Sequence, residues 1–183
     1  MFAFEYAGIV PDVILSSKAI GGSQPLSIVI YNKKLDKWTA GAHAGTFRGN
    51  QLAMKAGTIV LNRVSQLDFL ADVVKKGEII YKRMSELKKK VRIIGDIRGK
   101  GMMFGTEFVN PNEKPDMLGS YPASGEISAA VQKECFENGL IVEKGGRFGS
   151  VMRCLGPLNV SYEDLNKALD IYERCIIEVN KNY

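Results

Sequence analysis

A single lysine lies near the end of the run Val13-Ile-Leu-Ser-Ser-Lys18-Ala-Ile-Gly-Gly22, with small residues just before it and a glycine pair just after. A short apolar run bounded by Pro11 and the glycines predicts a buried strand whose end carries Lys18 to an interior site. Gly21 and Gly22 permit backbone or ligand to come close there. Desolvation disfavours the ammonium, so a lysine in such a place can be neutral near neutral pH. A neutral amine on a rigid strand end is what Schiff-base chemistry with a carbonyl cofactor requires. The same spacing also describes a solvated loop lysine, and the segment by itself leaves both readings open.

A second segment, Gly41-Ala-His-Ala-Gly-Thr46-Phe-Arg-Gly-Asn50, is a glycine-punctuated loop running into a helix. Backbone N–H groups in such a loop, with the Thr46 hydroxyl, form a concave donor surface suited to phosphate. Glycine-rich loops are also ordinary turns, and Thr46 could equally cap its own backbone. His43 is the only histidine. With a lysine available for proton transfer, it reads as a loop-shaping residue.

Together and in this order, the two segments resemble the class III aminotransferases, which use pyridoxal 5′-phosphate (PLP). The wording is closest to the diaminobutyrate–2-oxoglutarate transaminase subgroup. It rests on Met1-Phe-Ala-Phe-Glu5, Leu15-Ser-Ser-Lys-Ala-Ile-Gly-Gly22 and Gly41–Asn50. It continues through Gly95-Asp-Ile-Arg-Gly-Lys-Gly101 and Gly145-Gly-Arg147 to Arg153-Cys-Leu-Gly-Pro-Leu158, nearly the whole chain. The resemblance implies an α/β fold, the C-terminal portion of a fold-type I PLP-dependent transferase. Residues 1–66 would be the remainder of the PLP-binding large domain, and residues 67–183 a small α/β domain with an antiparallel sheet.

The resemblance also implies roles. Lys18 would be the catalytic residue, bound to the cofactor and moving a proton as base and then acid. Thr46 would bind the phosphate of the neighbouring subunit's cofactor, with Gly45 adding a backbone donor. Arg153 would grip the substrate α-carboxylate, since a guanidinium fork makes two parallel hydrogen bonds that lysine cannot match. The family's usual wording has two prolines after this arginine, and Gly156 replaces the first. Arg98 reads as a residue that ties a turn together, and Arg147 as either a contact to an acidic substrate end or a solvated turn residue.

The implied reaction moves the terminal amino group of L-2,4-diaminobutyrate to 2-oxoglutarate, giving aspartate 4-semialdehyde and glutamate, in a homodimer. Ornithine, 4-aminobutyrate or another ω-amino acid is the alternative donor. Family members carry a long portion ahead of the stretch that Met1 matches. It supplies a Gly-Ser phosphate loop, an aromatic ring stacked on the cofactor, and an aspartate that keeps the pyridinium protonated. The chain is therefore expected to be the C-terminal part of a transaminase: a truncated product, one piece of a split subunit with a separate N-terminal half, or a non-catalytic remnant. Little activity is expected of it alone.

Composition narrows the remaining classes. Hydrophobic residues make up 45% and charged residues 25%, as in an ordinary globular protein. The net charge of +5 is dispersed except at Lys88-Lys89-Lys90, which suits a helix C-terminus. This mild bias fits anionic small molecules better than nucleic acid. Three cysteines without C-x-x-C spacing read as free thiols in a reducing compartment, and no metal site is expected. Glu5 and the lack of a basic leader give no signal peptide, and no apolar run spans a bilayer, so a cytoplasmic protein is expected.

Several elements must position these residues. Val13–Leu15 and Ser27–Tyr31 read as buried parallel strands. Asn50 caps a helix with apolar residues from Leu52 to Val64. Ser65 with Asp68 predicts a capping box for a second helix, bent at Gly77. Gly95 and an Arg98-Gly-Lys-Gly101 turn lead into a strand over Met102–Val109, and 110–124 reads as a surface loop. A helix over about Glu126–Asn138, with Gly139 beyond its end, precedes strands at Leu140–Glu143 and Val151–Leu155. Ser161 and Asp164 cap a last amphipathic helix. Helices and strands in this order describe a small domain with an antiparallel sheet.

Overall fold

In the computed structural model, which describes residues 1–183, strands β1 (Val13–Ser16) and β2 (Ile28–Tyr31) pair antiparallel, from Val13↔Tyr31 to Ser16↔Ile28. The parallel arrangement read from their apolar composition is incorrect. Parallel neighbours need a long crossover, and the link 17–27 is too short to supply one. Nor are the strands buried on both faces: Leu15 is 76% exposed. Two strands alone have too little sheet to cover them.

Lys18 does not continue the strand. It opens a one-turn 3-10 helix, Lys18–Gly21, with φ of +59°. Helix α1 (Gln51–Val64) underpins that turn. Its start follows the sequence expectation, the Ala53 N–H donating to Asn50 Oδ1 at 3.1 Å. Ala53 is fully buried, and at Gly57 a Cβ would lie 2.9 Å from the Ile20 carbonyl oxygen. The missing side chain at Gly57 is what lets the lysine turn rest on the helix.

Helix α2 (Leu67–Lys88) crosses the division between two compact units, Met1–Leu70 and Ala71–Tyr183. Ser65 does not form the expected capping box. It is the C-cap of α1, and its hydroxyl donates to Asn62 O. Nor does α2 break at Gly77. There a Cβ would stand 2.4 Å from the Gly101 carbonyl oxygen, so the glycine serves a backbone crossing.

The second unit is built on a four-stranded antiparallel sheet in the order β3-β4-β6-β5. Its strands are β3 (Ile94–Lys100), β4 (Met103–Phe108), β5 (Glu143–Gly145) and β6 (Val151–Cys154). Arg98–Lys100 thus ends a strand and is not part of the expected turn; the chain reverses at Gly101, where φ is +53°. Alternation along the strands sends Ile97, Phe104, Phe108 and Met152 into the core. The helices α2, α3 (Gly125–Glu137) and α4 (Tyr162–Asn180) supply the rest of it, with Met84, Val131 and Ile176 among the fully or almost fully buried residues. Arg98, Glu107 and Arg153 take the alternate positions.

Local caps hold the helices in place. Ser124 Oγ accepts from the Ile127 N–H and Ser161 Oγ from the Asp164 N–H. Arg83 of α2 clamps Glu173 and Asp170 of α4 at 2.7 and 2.6 Å. Buried Lys76 binds Asp72 and the Leu158 carbonyl, and its ammonium holds the Asp72 carboxyl below the usual carboxylate range. All three cysteines are free. Burial pushes their thiols up, Cys154 to about 11, so they are poor nucleophiles at neutral pH. No helix is long and apolar enough to cross a membrane.

Candidate active site

The first unit holds a cleft of about 1040 Å³ bordered by the lysine turn, β2 and the 36–50 segment. Lys18 is the only lysine on its wall, and Arg48 is the only arginine. Left-handed backbone at a residue with a long side chain is sparsely populated and is held by its surroundings. Here the surroundings are the α1 seat beneath Ile20 and the Gly22 N–H, which donates to Ala19 O at 3.0 Å. Lys18 itself is exposed, so the burial expected of its position is not supplied within this unit.

The glycine-rich loop forms another wall. Gly45, Phe47, Arg48 and Gly49 border the cleft, whereas Thr46 lies between them in sequence and is not on that wall. His43 stacks on Trp38 with ring centroids 5.4 Å apart and planes 19° apart. Trp38 in turn meets Tyr31 at 6.2 Å, and the Tyr31 hydroxyl donates to Asp36 at 3.2 Å. This packing is a physical account of the loop-shaping role read for His43. Tyr31, Trp38 and Arg48 are cleft residues that sequence reasoning missed. Arg48, two positions from Thr46 in a phosphate-type loop, was the legible one.

Arg153 belongs to the second unit. It lies on β6 opposite Glu143 of β5, and its Nη2 donates to Glu143 Oε1 at 2.6 Å. Its Nε is buried without a hydrogen-bond partner. Glu143 was also missed, although a cross-strand partner of opposite charge is a common way to hold a strand arginine. Arg98 ties strands together and not a turn: it pairs with Asp96 at 2.7 Å and Glu107 at 2.6 Å, two residues that face each other across β3 and β4. These pairings hold the Asp96 carboxyl down. Arg147 stacks over the Phe148 ring at 4.9 Å.

The donor set at the first cleft suits an aldehyde that also bears a phosphate. An amine stands on one wall, while a cation and glycine-rich backbone stand on another. Residues 1–176 match the family model for aminotransferase class III, and the chain belongs to that family, whose members depend on PLP. It is 39% identical over 181 residues to a diaminobutyrate–2-oxoglutarate aminotransferase of Haemophilus influenzae, covering 99% of this chain and 40% of that one. Identity to the enzyme of that name from Rhizobium meliloti is 45% over 166 residues, covering 91% and 35%. Among solved structures, acetylornithine aminotransferase from Elizabethkingia anophelis superposes with a TM-score of 0.77 at 27% identity, over 96% of this chain and 41% of that one. The chain therefore has the fold of part of a PLP-dependent aminotransferase and spans about 40% of its relatives' length.

Proposed function

We propose that this chain is the C-terminal part of a transaminase that moves the terminal amino group of L-2,4-diaminobutyrate to 2-oxoglutarate, giving aspartate 4-semialdehyde and glutamate. The observation that carries the reading is Lys18, held in a left-handed turn as the only lysine on a cleft that the Gly45 loop also borders. The names of the relatives support the choice of donor and acceptor.

Lys18 Nζ would supply the amine that holds the cofactor, and would act as base at the donor's amine-bearing carbon and then as acid toward the cofactor, so that the proton leaves the donor carbon for good. Gly45, Thr46 and Arg48 hold the phosphate of the neighbouring subunit's cofactor in the homodimer, by backbone N–H, hydroxyl and charge. PLP, when bound, supplies the electron-accepting ring. Arg153 binds the carboxylate common to donor and acceptor, a reading supported by its Nη2, which donates to the Glu143 carboxylate at 2.6 Å. The working assembly is a homodimer containing the remaining part of the family fold, in the same chain or a separate one.

Sodium borohydride reduction of the chain with PLP, followed by peptide mapping, tests the central assignment without requiring turnover. The pyridoxyl label is expected on Lys18. A label on Lys33, Lys34 or Lys100 in its place would overturn the reading.

A further inference from the structure

The guanidinium of Arg153 lies so close over β5 at Gly145 that a side chain there would push it aside by a few tenths of an ångström. A Cβ built on Gly145 would sit 3.1 Å from Nη2, 3.3 Å from Cζ and 3.3 Å from Nε. These three near-equal distances mean that the Nη2–Cζ–Nε edge lies flat over the glycine. Carbon contacts relax to roughly 3.5–4.0 Å, so a methyl group would have to lift the whole edge. Lifting the edge strains the contact from Nη2 to Glu143, now 2.6 Å.

The same placement accounts for the buried Nε without a partner. That nitrogen lies 3.3 Å from the place a Cβ on Gly145 would take. Buried unpaired donors are uncommon and mark positions where geometry is held for another purpose. Gly145 has no left-handed backbone that would by itself demand glycine, since positive φ is found at the neighbouring Gly146. Its missing side chain is explained by Arg153 alone among the nearest atoms.

We infer that Gly145 is the positioning residue for Arg153: it provides the flat seat on which the guanidinium is oriented, with Glu143 as the tether. This rests on the reading of Arg153 as a carboxylate-binding residue, and the inferred ligand class is accordingly a carboxylate.

The test is a double-mutant cycle on the full chain, read by urea unfolding and by the rate of phenylglyoxal modification at each arginine. Gly145→Ala is expected to lower the urea midpoint and to speed modification of Arg153 severalfold, with Arg98 unchanged. In an Arg153→Ala background the same glycine substitution should lose its effect on the midpoint, because nothing remains to collide with. Gly156→Ala, where a Cβ would meet only Met102 Cε at 3.8 Å, should leave Arg153 modification unaltered. An equal drop in midpoint in both backgrounds, or unchanged Arg153 modification in Gly145→Ala, would overturn the inference. If Gly145→Ala alone fails to fold, recovery of folding in the Arg153→Ala background supports the seat and failure there as well overturns it. Isothermal titration with 2-oxoglutarate separates the two levels. Coupling in the cycle with identical 2-oxoglutarate affinity for Arg153→Ala and parent would leave the seat standing and remove the carboxylate reading.

Discussion

Lys18→Ala is expected to abolish the borohydride-trapped pyridoxyl label at that position and to slow glutamate formation by on the order of 10²–10⁴-fold, the usual span for a general acid–base group. No other lysine borders the cleft. The nearest in sequence, Lys33 and Lys34, belong to a separate turn, and Lys34 is committed to Asp12 at 2.8 Å. The measurement compares glutamate formed from L-2,4-diaminobutyrate and 2-oxoglutarate by parent and variant, each in the active assembly with the remaining part of the family fold and PLP in excess. Identical rates in the two proteins would remove Lys18 from the chemistry.

Phe108→Ala is expected to destabilise the second unit by about 3–5 kcal/mol, the span for removing a buried aromatic and leaving a cavity. Phe108 is fully buried at the end of β4. Its N–H donates to Ser150 O at 2.8 Å, and its carbonyl accepts from the Ser124 N–H at 2.9 Å. One residue thus ties the sheet to both the approach of β6 and the start of α3. Domains of this size are stable by only about 5–15 kcal/mol, so the loss is a large share of the total. Urea unfolding followed by circular dichroism reads it. A loss under about 1 kcal/mol would show that the core closes over the gap, contrary to the cavity rule.

What the sequence revealed and what it concealed follow a physical division. Asn50 and Ser161 were legible as helix caps because a cap is made by residues three apart in the chain. The antiparallel sheet of the second unit was legible in part, through the apolar runs that become β4 and β6, whereas β3 was hidden. Lys18 and the Gly45 loop stood out by composition, and the structure brings both to one cleft. Ser65 misled because the same hydroxyl chemistry that caps a helix start can close the end of the helix before it. Gly77 and the Arg98–Lys100 stretch misled because glycine was read as a turn or bend. Gly77 instead admits the backbone at Gly101, and Gly99 admits the Met103 carbonyl, where a Cβ would stand 2.3 Å away. Such meetings join residues far apart in the chain or facing across a hairpin, and no local pattern announces them. Glu143 was hidden likewise, since its role exists only once β5 and β6 are in register.

The left-handed backbone at Lys18 sets chemistry and folding against each other. A non-glycine residue in a sparsely populated conformation carries a penalty on the order of 1–3 kcal/mol, which glycine largely avoids. Laboratory evolution of this chain for heat resistance alone should therefore discard the lysine early, replacing it with glycine or asparagine and gaining melting temperature as it goes. A screen that scores only soluble, folded protein would enrich molecules that have lost the one amine the cleft displays. Any engineering campaign on this scaffold needs covalent capture of a carbonyl probe as a second criterion, applied from the first round.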